Sequence, residues 1–392
     1  MKKAEVVLLS LKDYDKNNVH KVLKKGFDFF GGLEKLIRPG DQVFIKINHL
    51  SPPSVPEKAI VTHPAFTKQV VSLIKEIGCK IIVGDDIQSE NVDGFLLSGY
   101  RQICNELQVQ LVNLKELGFR ETLCKGQVLK KVYISPLVLD SDVVINLPKL
   151  KTHSLTTFSG AIKNFYGVIP FGLRLKFHHD YYLQDSFGQM LVDILQCVRP
   201  HLNIMDAVIA MDGEGPAAGN PKKVGALIAS QDPVALDAVA ANLVGFNPMD
   251  IYTTCHAHER GLGVGRIDEI EILGDDFNSL CVKDFKPSIM AVGLLRRKIP
   301  LFLYSYIQIQ LTFIPEIWEN RCTKCNECIQ VCPKGAVKEI DGTVSVEKEL
   351  CIHCMCCHEV CRFQAIRLKQ SLMGRFFRLL IDSLRKIKAI LS

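Results

Sequence analysis

Nine of the fifteen cysteines in this chain fall between Cys322 and Cys361, and their spacing constrains the fold more than any other feature. Cys322, Cys325, Cys328 and Cys332 follow one another at gaps of two, two and three residues. After eighteen intervening residues Cys351, Cys354, Cys357 and Cys361 repeat the same gaps. In such a run three thiolates bind one [4Fe-4S] cube and the fourth reaches across to the other, because the two cubes share a pseudo-symmetric pair of loops. The pattern therefore predicts two [4Fe-4S] clusters. Cys322, Cys325, Cys328 and Cys361 hold one, Cys351, Cys354, Cys357 and Cys332 hold the other, and Cys356 is left over. A structural zinc site closes with four ligands, two per knuckle, so a repeated run of this kind exceeds what zinc needs. A disulfide framework suits eight such thiols less well than a reducing compartment does.

The spacing is that of bacterial ferredoxins, but a ferredoxin-like module explains only a small part of 392 residues, which leave room for two or three domains. Charge is uneven along the chain. Lys286 to Ser392 carries 17 Lys and Arg against 9 Asp and Glu, whereas residues 1–285 carry 31 against 33. At the N-terminus Lys2 and Lys3 precede an apolar run, but Glu5, Lys12 and Asp13 interrupt it before any cleavage site, so the run reads as a buried strand and not a signal peptide. No uninterrupted apolar stretch reaches the roughly 18 residues of a spanning helix. The expected location is the cytoplasm, with peripheral contact at the inner membrane face open to the basic tail. Cys79, Cys104, Cys124, Cys197, Cys255 and Cys281 show no motif spacing and read as small core residues.

Residues 1–285 alternate short apolar runs with helical periodicity. Strands are expected at Ala4 to Leu9, Gln42 to Asn48, Lys80 to Gly84, Gln108 to Asn113, Asp142 to Leu147, Leu202 to Ala207, Gly225 to Ser230 and Glu269 to Gly274. Helices are expected at Val19 to Leu36, Pro64 to Ile77, Asp93 to Leu107, Gln184 to Cys197 and Pro233 to Val244. This alternation implies an α/β domain with a largely parallel sheet and helices on both faces. Ligands of such sheets sit beyond the carboxyl ends of the strands. The loops there carry Asp85 and Asp86, then a polar stretch from Lys149 to Asn164, then Asp206, Asp212 and Glu214. The second of these is the densest: lysines, hydroxyls and the start of a short helix at Gly160 together suit an anion. Asp232 before Pro233 reads as a helix cap. The pairs His178–His179 and His256–His258 lack metal-site spacing and read as ordinary polar residues.

The stretches KLKTHSLTTFSGAIKNFYGVIP, MDGEGPAAGNP and ASQDPVALDAVAANLVG resemble the family known as domain of unknown function 362, over roughly residues 40–275. A ferredoxin module is a frequent companion in that family. The resemblance implies the architecture and points to these loops without naming a reaction.

The expected organisation is an α/β domain at 1–285, an apolar linker helix at 286–318, a small α+β ferredoxin-like domain at 319–370 and a basic amphipathic tail helix at 371–392. Met373, Phe376, Phe377, Leu380, Leu384, Ile387 and Leu391 would share one face of that tail, with Arg375, Arg378, Arg385 and Lys386 opposite. The functional expectation is an iron-sulfur oxidoreductase. His153, Lys163 and Asp212 are its candidate catalytic residues, and Lys149, Lys151, Thr152, Thr156, Thr157 and Asn164 its candidate anion-binding residues. The alternative is an electron-transfer adaptor without substrate chemistry. A redox partner protein is expected in either case, and a nucleic acid is not.

Overall fold

The structure, a computed structural model, describes residues 3–50, 54–88, 93–198, 200–288, 313–370 and 376. The strands of the α/β domain are β1 (Ala4–Ser10), β2 (Gln42–Ile47), β3 (Lys80–Asp85), β4 (Gln110–Asn113), β5 (Arg120–Leu123), β6 (Lys131–Ile134), β7 (Val143–Leu147), β8 (Lys149–His153), β9 (Thr157–Ser159), β10 (Leu202–Asp212), β11 (Asn220–Ser230) and β12 (Ile270–Gly274). Its helices are α1 (Lys16–Asp28), α2 (Pro64–Lys75), α3 (Gly94–Leu97), α4 (Tyr100–Leu107), α5 (Pro136–Asp140), α6 (Ala161–Asn164), α7 (Phe171–Asp180), α8 (Gln184–Cys197), α9 (Pro233–Leu243), α10 (Tyr252–Glu259) and α11 (Phe277–Leu280).

The main sheet runs β12-β1-β11-β10-β7-β2-β3-β4, and β8 and β9 extend it beside the far half of β10. Most pairings are parallel; β11 is antiparallel to both β1 and β10, and β9 to β8. The apolar runs β2 and β7 are buried almost throughout, as central parallel strands covered on both faces must be. One core packs α1 and α2 against the sheet through Val19, Leu23, Phe66 and Val70. On the other face α8 contributes Phe187, Met190, Leu191 and Ile194, and α9 adds its run of alanines, Val239 and Leu243.

Several expected elements differ in extent for local reasons. The first helix stops at Asp28 because Gly31 and Gly32 take φ of 80° and 93°, outside the helical region. The helix expected from Asp93 to Leu107 is two, divided at Gly99, where φ is 80°. The stretch from Lys149 is an interior strand and not a surface loop: Pro148, lacking an N–H, interrupts the ladder after β7, and the chain resumes as β8 beside β10. Cys124 and Cys197, expected as separate core residues, are joined as a disulfide with Cα atoms 6.1 Å apart.

The C-terminal module contains β13 (Phe313–Ile317), α12 (Glu327–Gln330), β14 (Val337–Ile340), β15 (Thr343–Val346), α13 (Cys356–Val360) and β16 (Ile366–Gln370). β13 pairs antiparallel with β16, and β14 with β15. Phe313–Ile317 was expected at the end of the linker helix; it is a strand because Phe313 and Pro315 point alternately into this module while the chain pairs with β16. The rest of that linker from residue 289, and the tail apart from Phe376, lie outside the described residues. Among the described residues no helix is long and apolar enough to cross a membrane. Val331, Cys354 and Cys356 pack on Phe171 and Leu175 of α7, which joins the module to the α/β domain.

Candidate functional site between the strand ends and the cysteine module

A cavity of about 110 Å³ lies beyond the carboxyl ends of β2, β3 and β7, where the topology of such a sheet places a ligand. Each wall comes from a different element. Lys46 lies in β2, Asn48 and His49 follow it, and Asp85 ends β3. Lys151 and His153 come from β8, Lys163 and Asn164 from α6, and Arg174 and His178 from α7. The fourth side is closed by Val331, Cys356, Glu359 and Val360 of the cysteine module.

Alternation along β8 places Lys149, Lys151 and His153 on one side of the strand, with Leu150 in the core on the other. The three then separate. Lys149 Nζ is 2.7 Å from Asp206 Oδ2 and 2.9 Å from Tyr14 Oη, in a buried cluster outside the cavity lining. Lys151 Nζ reaches the cavity and, among the described residues, donates only to Ile60 O, at 2.8 Å. Burial, reinforced by the neighbouring Lys163 and Lys149, pushes its ammonium down to about 7, so a neutral amine is accessible near neutrality. Burial also lowers Lys163, opposed by the Glu359 carboxylate. Its Nζ stands 4.7 Å from the centre of the Tyr166 ring.

His153 is 1% exposed, and burial holds it neutral, well below the usual imidazole range. Its Nδ1 accepts from Leu155 N at 3.1 Å and Thr156 N at 3.3 Å, which leaves the ring proton on Nε2. That nitrogen lies 3.6 Å from Glu359 Oε1. Glu359 also accepts from Ser154 Oγ at 3.1 Å, and its Oε2 is 4.0 Å from His178 Nε2. Burial raises this carboxyl, with Lys163 acting against the rise.

At the other end Lys46 and Asp85 form an ion pair of 2.7 Å, each side chain 1% exposed. Burial pushes both toward their neutral forms. Gly167 leaves room for them, since a Cβ there would stand 2.6 Å from Asp85 Oδ1. Arg174 is paired with Asp86.

Of the candidate catalytic and anion-binding residues, His153, Lys163, Lys151 and Asn164 meet in the cavity, and Asp212, Lys149, Thr152, Thr156 and Thr157 do not line it. Thr152 Oγ1 donates to Met211 O and accepts from Gly215 N. Thr156 Oγ1 donates to Phe158 O. Thr157 turns the β8–β9 hairpin with φ of 67°. Asp212 accepts from Lys286 N at 3.2 Å, and Asp232 caps α9. Lys46, Arg174, Cys356 and Glu359 were missed. A lysine inside the otherwise apolar run QVFIKI is the signal that could have found the first. His178, read as an ordinary polar residue, is 6% exposed and in the lining.

In the cysteine module Cys322, Cys325, Cys328 and Cys361 line one small cavity, and Cys332, Cys351, Cys354 and Cys357 line another. The loops match in detail. Lys324 and Asn326 take left-handed φ of 51° and 61°, and their counterparts His353 and Met355 take 57° and 62°. Ala336 N donates to Cys332 Sγ at 3.1 Å and Ala365 N to Cys361 Sγ at 3.2 Å, the kind of contact that stabilises a sulfur carrying negative charge. Among the described residues no three His, Cys, Asp or Glu side chains converge on a single-ion site. Thiols disposed around a space fit a polynuclear cluster.

A parallel α/β domain whose strand-end cavity is closed by paired cysteine loops defines an iron-sulfur protein of electron transfer. The chain belongs to the family described as Domain of unknown function (DUF362), which matches residues 43–242, and a 4Fe-4S binding domain matches residues 315–338. It is 31% identical over 259 residues to the thylakoid-associated protein sll1697 of Synechocystis sp., covering 66% of this chain and 79% of that one. The cysteine module is 43% identical over 52 residues to hydrogenase-4 component A of Escherichia coli, 13% of this chain and 25% of that protein. It is 34% identical over 56 residues to pyruvate synthase subunit PorD of Methanocaldococcus jannaschii, 14% and 65% respectively. Among solved structures, the lactate racemase apoprotein of Thermoanaerobacterium thermosaccharolyticum superposes on 58% of this chain and 54% of its own at a TM-score of 0.39 and 13% identity.

Proposed function

We propose that this protein is an oxidoreductase that passes electrons between two [4Fe-4S] clusters and a small anion held in the strand-end cavity. The observation that carries the reading is the shared wall: Cys356 and Glu359 of the cysteine module line the same cavity as Lys151, His153, Lys163 and Asn164 of the α/β domain. Two small cavities support a count of two, one lined by Cys322, Cys325, Cys328 and Cys361 and the other by Cys332, Cys351, Cys354 and Cys357 with Cys356 beside them. When bound, the clusters supply or accept single electrons. The chain's own groups do the rest. Lys151 and Lys163 hold the anion in a site sheltered from water, where their charge counts for more. His153 carries its proton at Nε2, on the side that faces Glu359, and the Leu155 and Thr156 N–H groups at Nδ1 fix the ring. Asp212, outside the cavity, drops out of that role. A redox partner protein exchanges electrons with the clusters, in keeping with the kind of protein in which similar cysteine modules occur.

A polar cavity at the strand ends favours this reading over an adaptor that only docks a partner. The test is anaerobic reoxidation of the reduced protein, followed through cluster absorbance while small carboxylates and other oxidants are added. His153→Gln is expected to slow ligand-dependent reoxidation by about 10²-fold or more, and Lys163→Met to weaken ligand dependence, with cluster spectra unchanged. Unaltered rates in both variants would sink the assignment.

A further inference from the structure

A relay of three asparagines runs through the sheet toward the cavity and fixes what its last member offers. Asn203 on β10 donates Nδ2 to Ser230 O at 3.1 Å, which leaves its Oδ1 to accept from Asn146 Nδ2 at 2.9 Å. Asn146, on β7, also donates to Ala161 O at 3.1 Å, so its Oδ1 is the atom that accepts from Asn164 Nδ2, at 2.7 Å. Asn164 Nδ2 reaches Ile47 O as well, at 3.3 Å. Every amide along the relay is pinned by a main-chain carbonyl, and turning any one over would set oxygen against oxygen. Asn164 must therefore present Oδ1, an atom that only accepts. The residue is 5% exposed and lines the cavity, and among the described residues that oxygen has no donor. Asn48 Oδ1, in the same lining, is also without one among the described residues. Buried acceptors left unpaired are costly, so an occupant with an O–H or N–H is favoured over one without.

The cations divide in the same way. Lys46 is matched by Asp85 and Arg174 by Asp86. Among the described residues Lys151 donates only to a main-chain carbonyl, and Lys163 lies over the Tyr166 ring with Glu359 as the carboxylate acting on it. Lys163 and Asn164 line one cavity of about 110 Å³, and a space of that size keeps the anionic group and the donor of its occupant within a few bonds of one another.

We infer that the cavity binds a small carboxylate bearing a hydroxyl on the adjacent carbon, with the carboxylate at Lys151 and Lys163 and the hydroxyl donating to Asn164 Oδ1. An ammonium in the hydroxyl's place would stand beside Lys163, which among the described residues carries no ion pair to an aspartate as Lys46 and Arg174 do, so a hydroxy acid is preferred over an amino acid. The space of about 110 Å³ suits a few heavy atoms and is too small for a nucleotide. This assignment rests on the reading of the cavity as an anion site and adds the donor.

Equilibrium dialysis of the full chain with its clusters, under anaerobic conditions, tests it with labelled glycolate and labelled acetate, and with methoxyacetate as competitor. Glycolate is expected to bind about tenfold more tightly than acetate, in line with one hydrogen bond to an otherwise unpaired acceptor. Methoxyacetate, which keeps the oxygen and loses the donor, should compete no better than acetate. Asn164→Ala should abolish the preference and leave acetate binding in place, and Lys163→Met should weaken both acids alike. Equal binding of glycolate and acetate to the unaltered protein, or strong competition by methoxyacetate, overturns the hydroxyl assignment and leaves the anion site standing. Failure of both acids to bind overturns the two together.

Discussion

Lys46 and Asp85 show how much a single buried pair can demand of its surroundings. The pair is out of water, and each partner is drawn toward neutrality by burial and held by the other. Removing one partner leaves the other charge stranded, so Asp85→Ala should lower stability by about 3–5 kcal/mol, measured by urea unfolding. The double variant Lys46→Met, Asp85→Leu should recover part of that loss. It cannot recover all of it, because His49 N and Asp86 N also donate to Asp85 and would lose their acceptor. Sequence reading found Asp85 as a carboxylate at a strand end. It did not find Lys46, because a charged residue within a strand ordinarily points to solvent, and only the burial of both sheet faces denies it that exit. His153 and Lys163 were legible because their neighbours are hydroxyls and amides in a short span. Glu359 was not, since its partners lie some 200 residues away in sequence, as its bond to Ser154 shows.

The elements that form the cavity are short and depend on supports from elsewhere. Helix α6 has four residues, too few to stand alone. The Asp237 carboxylate of α9 accepts from Ala161 N and Ile162 N at its start. Gly160 is required there, since a Cβ would stand 2.1 Å from Asp237 Oδ1. Burial pushes Asp237 up to about 7, whereas an unfolded aspartate loses its proton near about 3.9. Between those values the folded protein holds the extra proton, so the contribution of this group is fully present below about pH 4 and is lost as pH rises through about 7. The stability difference between the unaltered protein and Asp237→Asn, read from urea midpoints, should shrink between pH 5 and pH 8. The slope should be no steeper than about 1.4 kcal/mol per pH unit. The long amphipathic helices and the apolar strands of this domain were legible from periodicity. β8 was not, because KLKTH carries no apolar alternation, and its burial comes from the pairing with β10.

For the molecule as a whole, the two cysteine sets make a countable statement. Anaerobically purified protein should contain about eight iron and eight acid-labile sulfide per chain. Cys325→Ala should disturb one cluster and Cys354→Ala the other, as resolved by electron paramagnetic resonance of the reduced protein. A yield of half that iron in the unaltered protein would reduce the assignment to a single cluster. The partition of the cysteines was legible because cluster ligation is written in local spacing. The placement of the module was not, since the contact of Val331 and Cys356 with Phe171 and Leu175 is a matter of shape between surfaces distant in sequence.

The shared wall also orders events in the life of the polypeptide. Residues 1–285 leave the ribosome first and can build the sheet, but the chamber they outline lacks its fourth side until α13 is in place. The metal loops and the fourth wall of the chamber thereby belong to one module. On the proposed reading of the cavity as an anion site, residues 1–285 alone would leave Lys151 and Lys163 open to bulk water, where they discriminate poorly among anions. Selectivity on that reading comes from a segment synthesised after the sheet.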